Sequence, residues 1–191
     1  MTEFRFFGRF HPELNGPDSS EGSGEISEAE AKLRYGDRKA RLDIVPFPNP
    51  ATRKVPFFIQ VATAETPGFA AYTCDESGFP ALEQAWAARP DGRLFLLQMI
   101  VRRYDLREWM SIVPRTSGDW DSQVVLNFKQ DGRVFMRATE QENGRLLPDS
   151  MSAQTQADSR FLFRDVPEWG RWDELLDSPV DLEDIGFPDA S

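Results

Sequence analysis

The stretch Val124–Thr139 permits very few folds. Apolar residues recur at every second position, Val124, Leu126 and Phe128 before Gln130-Asp131-Gly132, and Val134, Met136 and Ala138 after it. Glycine supplies the left-handed backbone that closes a three-residue loop, a type I turn followed by a bulge. That loop sets Phe128 opposite Val134, Leu126 opposite Met136 and Val124 opposite Ala138, so one face of the hairpin is wholly apolar. A two-residue Asp-Gly loop would instead oppose Leu126 to Arg137. Cross-strand burial therefore selects the longer loop.

Other segments extend the sheet. Arg93–Tyr104 carries apolar residues on both faces and reads as a buried strand. Residues 3–10 set Phe4, Phe6, Gly8 and Phe10 on one side, a strand with one apolar face. Ala40–Val45, Phe57–Ala64 and Phe161–Val166 add further strands. Ser27-Glu28-Ala29-Glu30 has the form of a helix capping box. However, Ala29, Ala31, Leu33 and Tyr35 alternate strictly with charged residues, and Gly36-Asp37 follows. That alternation predicts a hairpin there. Pro80, with Leu82, Ala85 and Trp86 on one side, predicts a short helix over Pro80–Arg89. Pro167 opens a second helix to Leu176, and residues 140–158 are polar and turn-rich.

The resulting fold class is α+β, mostly antiparallel sheet with about seven to nine strands and one or two short helices. At 191 residues, one domain is expected over residues 1–176, with a flexible loop at 12–25 and an acidic tail at 177–191.

Charge divides the chain in the same places. Residues 165–191 hold nine acids and one base, a net of −8, and residues 1–31 hold seven acids and two bases, a net of −5. Of the total of −10, this leaves +3 for residues 32–164. An acidic chain without a clustered basic face is a poor ligand for phosphate backbones, so nucleic acid is not the expected partner. The N-terminus lacks a basic segment followed by an apolar run, and no stretch is long enough to span a bilayer. Together with a single cysteine, this predicts a cytoplasmic protein.

Most catalytic chemistries lack their parts. Any imidazole base must be His11, the only histidine. Cys74 stands beside Asp75 and Glu76, whose charge keeps a thiol protonated. Two Cys/His residues in all are too few for a structural zinc site, and no metal or cofactor is expected. Asp119-Trp120-Asp121 aims two carboxylates to one side of an extended segment, as in divalent-metal sugar-nucleotide enzymes, but it sits in a Ser/Gly-rich loop. Glu65, Glu83, Glu108 and Glu140 are available for paired-carboxylate work on glycosides.

The strongest local signal is the C-terminus. Trp169, Trp172 and Leu176 form one helical stripe, widened by Leu175. Beyond Ser178-Pro179, the residues Val180, Asp181, Leu182, Glu183, Asp184, Ile185 and Phe187 alternate acid with apolar. Such a segment either folds back on the chain's own +3 body or captures a basic partner, Trp169 and Trp172 then belonging to the same surface. The expected function is a non-catalytic protein-binding module, such as an immunity- or antitoxin-like inhibitor. The alternatives are a small carboxylate-dependent enzyme, hydrolytic or sugar-processing, and a structural accessory subunit.

Overall fold

A computed structural model describes residues 3–11, 16–17, 24–63, 68–104, 120–142, 145–146 and 151–177. The fold is α+β and dominated by antiparallel sheet. Its strands are β1 (Phe4–Phe7), β2 (Phe10–His11), β3 (Gly16–Pro17), β4 (Glu25–Ile26), β5 (Leu42–Pro46), β6 (Phe57–Val61) and β7 (Gly68–Cys74). They continue as β8 (Pro80–Ala88), β9 (Arg93–Arg103), β10 (Ser122–Phe128), β11 (Arg133–Glu142), β12 (Arg145–Leu146), β13 (Met151–Gln156) and β14 (Phe163–Asp165). Strands β5 to β11 form an unbroken meander; β1 and β4 extend it beyond β5, β13 and β12 pair with β11, and β14 pairs with β9.

The hairpin β10–β11 has the register the sequence requires: Phe128 opposes Val134, Leu126 opposes Met136 and Val124 opposes Ala138. Gly132 sits at φ +89°, where an L side chain is strained. On one face of the sheet these residues join Ile44, Ile59, Trp86, Leu94, Met99 and Val101 in a single core. That face is covered by the one α-helix among the described residues, α1 (Glu28–Asp37), and by residues 159–177, which contribute Ala31, Leu162, Trp172 and Leu175 to the core. A smaller cluster of Phe7, Phe10, Val45, Val55 and Phe58 lies on the other face.

Several expectations are corrected. Residues 28–37 are helical, not a hairpin. Ser27 accepts the Glu30 amide at 3.2 Å, and Glu28–Lys32 and Glu30–Arg34 pair at i,i+4. Ala31 and Tyr35, also i,i+4, are the residues that meet the core, while Leu33 is 70% exposed. The alternation was coincidental in a run of strong helix formers.

Pro80–Ala88 is a strand, not a helix. Its buried positions are Pro80, Leu82, Gln84 and Trp86, a period of two disguised by a glutamine on the core side. Pro167–Leu176 is not a continuous helix either. Gly170 turns at φ +92°, and only Trp172–Leu175 closes a 3-10 turn. The apolar stripe is buried all the same, Trp172 at 1% and Leu175 at 0% exposure.

Ser159–Leu162 forms a 3-10 turn before β14. Residues 3–10 break at Gly8-Arg9, with Phe6 in the main core and Phe7 and Phe10 in the smaller cluster, so both faces are apolar. Strand β13 lies in the span expected to be turns, and β3 and β4 in the span expected to be loop. With β13 and β4 the main sheet has 12 strands among the described residues, while β3 pairs with β2 in a separate two-stranded sheet.

Candidate functional site: the outer sheet face and the C-terminal mount

On the outer face, one cross-strand row runs Asp43, Gln60, Ala70, Ala85, Gln98, Asn127, Phe135 and Gln154 by register. Amides recur along it, and Gln98 donates to Asn127 at 3.0 Å. Small alanines in the middle strands leave a depression between bulkier neighbours. A groove of about 610 Å3 lies at the β6–β7–β8 end, lined by Arg41, Gln60, Ala62, Ala70, Ala87 and Leu97 among others. Leu97 is pushed outward by a bulge, since Ala85 pairs with Gln98 and Trp86 with Leu96, and it is 48% exposed. A second groove, about 480 Å3, lies at Phe135 and Gln154.

The ionisable groups nearby serve the fold. Asp43 is fully buried; it accepts the Phe10 amide at 2.7 Å and takes two contacts from Arg41, at 3.1 and 3.3 Å. Burial pushes its carboxyl up, opposed by Arg41 and by the Phe10 hydrogen bond. Glu83 is held by Arg102 at 2.9 Å. Tyr72 stacks on Phe58 with centroids 4.4 Å apart and donates to Gln60 at 3.2 Å. Burial, then the Glu83 charge, pushes its phenol well above the usual range, so it stays protonated at neutral pH.

The expected catalytic residues do not converge. Burial and the Asp75 charge push the Cys74 thiol up to about 12, which removes the thiolate a nucleophile needs. His11 lies in β2 with Nδ1 buried and without a hydrogen-bond partner among the described residues. Glu83 shares the outer face with Tyr72, whereas Glu140 is in register with Ser122, on the same side of β11 as buried Ala138. Those two carboxylates therefore stand on opposite faces and cannot flank one glycosidic bond. Asp121 is half-buried beside Trp120. Glu65, Glu108 and Asp119 lie outside the described residues. Among the described residues no cluster of three or more His, Cys, Asp or Glu could hold a metal. No helix among them is long and apolar enough to cross a membrane.

The C-terminal stretch is bound into the core by polar contacts from distant elements. Tyr35 donates to the Pro167 carbonyl at 2.5 Å, Trp169 to Glu28 at 3.3 Å and Gln84 to the Leu176 carbonyl at 3.0 Å. Trp169 stacks on Phe6 at 5.2 Å, and Tyr35 meets Trp172 edge-on at 5.0 Å. Arg164, whose guanidinium lies 5.0 Å over the Trp86 ring, donates to the Asp177 carbonyl at 2.7 Å. Trp172 thus faces the core, and Trp169 is half-buried against it. Val180, Asp181, Leu182, Glu183, Asp184, Ile185 and Phe187 lie outside the described residues. Gln84 was the residue the sequence reading missed; a lone polar side chain at the centre of a period-two run was the available signal. No protein-family model matches the chain, and neither curated proteins nor solved structures give a match.

Proposed function

We propose that the chain is a non-catalytic protein-binding module of the immunity- or antitoxin-inhibitor kind. Its acidic, apolar-studded segment after Asp177 captures a partner with a basic surface. The observation that carries this reading is the mount: residues up to Asp177 are fastened to the core by Tyr35, Gln84 and Arg164. The alternation of Asp181, Glu183 and Asp184 with Val180, Leu182, Ile185 and Phe187 therefore begins from a fixed point. A fixed base lowers the ordering cost of binding, charge steers the encounter and apolar anchors hold the complex. The ionisable groups of the outer face are engaged in the fold, which favours binding over catalysis.

The test is affinity capture from the native host with the full chain. It is compared with a chain carrying Asp181→Asn, Glu183→Gln and Asp184→Asn, and with one carrying Leu182→Ser and Ile185→Ser. A basic protein held by the full chain, released by salt and lost in both variants supports the reading. Retention of the same protein by both variants contradicts it.

A further inference from the structure

We propose that the chain pairs with a second copy of itself through the open edge of strand β13 (Met151–Gln156), the two strands running antiparallel about a two-fold axis at Gln154. Three properties of that edge point to this occupant.

The first is the backbone. Strand β13 pairs with β11 on one side, and no described strand lies on the other. An antiparallel ladder joins its two strands at every second residue. Ala157 donates to the Gly132 carbonyl at 2.8 Å, so Thr155, opposite Val134, and Ala153, opposite Met136, turn their amides and carbonyls towards β11. Ser152, Gln154 and Gln156 turn theirs outward. The side-chain amide of Gln156 donates to the Asp131 carbonyl at 2.9 Å and fastens the end of the strand to the β10–β11 turn. The outward groups are therefore presented in a fixed line.

The second is the lack of any device that keeps edges apart. Edge strands are ordinarily blunted by shortness, charge, proline or a bulge. The far edge of the sheet is blunted in this way: β4 has two residues, one of them the exposed Glu25. Strand β13 has six residues, no charge and no proline, and its register against β11 is unbroken. Ala153, Gln154, Thr155 and Gln156 are all exposed, so among the described residues neither face of the strand is covered there.

The third is self-complementarity. Centred on Gln154, the two-fold sets Gln154 against its own copy and Ser152 against Gln156 of the second copy. It is the one two-fold register that engages the outward amides and carbonyls of all three residues. The Gln154 side-chain amide carries both donor and acceptor, so it is its own complement. Thr155 meets Ala153 of the second copy, and no charge meets its like. The strand belongs to the +3 body rather than to either acidic end, which limits repulsion between two chains of net −10. A basic partner finds no carboxylate on it, whereas a second copy finds every group matched. One strand pair buries less than the ~1,000 Å2 of a standing interface, so the pairing is reversible and depends on concentration.

The test is sedimentation equilibrium of the full chain from micromolar to millimolar concentration, in about 0.15 M salt to screen the net charge. Amide exchange is followed on the same samples. The apparent mass should rise from one chain towards two. Exchange at Ser152, Gln154 and Gln156 should slow severalfold at the high end, with Ala153 and Thr155 unchanged. Gln154→Lys and Gln154→Glu, at an exposed position, should each leave a single chain, because like charges then oppose across the axis. An equimolar mixture of the two variants should regain the dimer, which misfolded variants could not do. A full chain that stays single throughout, a dimer unaffected by both substitutions, or a mixture that fails to pair would overturn the proposal.

Discussion

The side-chain amide of Gln84 donates to the backbone carbonyl of Leu176, 92 positions away in the chain, across 3.0 Å. It joins a middle strand of the sheet to the last described turn before the acidic segment. Gln84 is 1% exposed, and its own Oε1 is buried without a partner among the described residues. Gln84→Leu leaves the Leu176 carbonyl unpaired and should destabilise the fold by about 1–3 kcal/mol. Gln84→Glu should cost more at pH 7 than at pH 4. A buried carboxyl titrates upward, so the folded state keeps a proton the unfolded state has lost, and stability falls as pH rises. Urea unfolding at the two pH values measures both effects.

The capped helix α1 makes a prediction that a hairpin does not share. Ser27→Ala removes the acceptor of the Glu30 amide and should cost about 1 kcal/mol. Leu33→Ala, at a position 70% exposed, should be near neutral. Ala31→Leu, at a position with no exposure, should be strongly destabilising. In a hairpin, Ala31 and Leu33 would share one face and respond alike. Thermal melts of the three variants decide between the two patterns.

Two turn glycines with similar backbone separate strain from crowding. Gly92 has φ +82° and open space around a would-be Cβ, so Gly92→Ala should cost about 1–2 kcal/mol from conformation alone. At Gly132, φ +89°, the same atom would lie 2.6 Å from the Ala157 carbonyl oxygen. Gly132→Ala should therefore be clearly worse, displacing the approach of Ala157 to the β10–β11 turn. Denaturant midpoints of the pair test this ordering.

Alkali should weaken the fold before any peptide chemistry begins. Burial and Asp75 push the Cys74 thiol up to about 12, and burial pushes the Tyr35 phenol up to about 12 despite the Arg38 charge. Tyr72 is raised as well. Unfolded, these groups ionise near pH 8.5–10. As pH rises through that range the unfolded state loses protons that the folded state retains, so stability falls steadily from about pH 9 towards pH 12. Urea midpoints taken across that range check the slope, and Cys74→Ala should remove its earliest part.

Legibility from sequence followed the apolar pattern. The β10–β11 register was readable because only one loop length turned all six facing apolar residues to the core side. Strand β9 was readable because both its faces are apolar. Strand β8 was not, since its central core position is Gln84, and its value depends on a carbonyl that sequence spacing cannot bring near. Strand β13 was missed for a related reason: Ser152, Gln154 and Gln156 give a polar strand no hydrophobic signature. In α1 two periodicities overlapped, and the cap decided between them. The burial of Trp172 and Leu175 was legible as an apolar stripe, although the helix expected to produce it is interrupted at Gly170. Of the candidate site, the acidic segment was visible as composition. The outer groove was not, because it arises from alanines on three strands and from a bulge at Leu97.

The account turns on the claim that residues up to Asp177 belong to the core and that the acidic segment starts only beyond them. The most direct measurement is urea unfolding of two shortened chains, one ending after Asp177 and one after Asp165. The first should unfold in a single cooperative transition with the full chain's denaturant dependence. The second lacks Trp172, Leu175 and the partners of Tyr35 and Gln84, and should show no cooperative transition. A chain ending at Asp165 that unfolds with the full chain's midpoint would contradict the account.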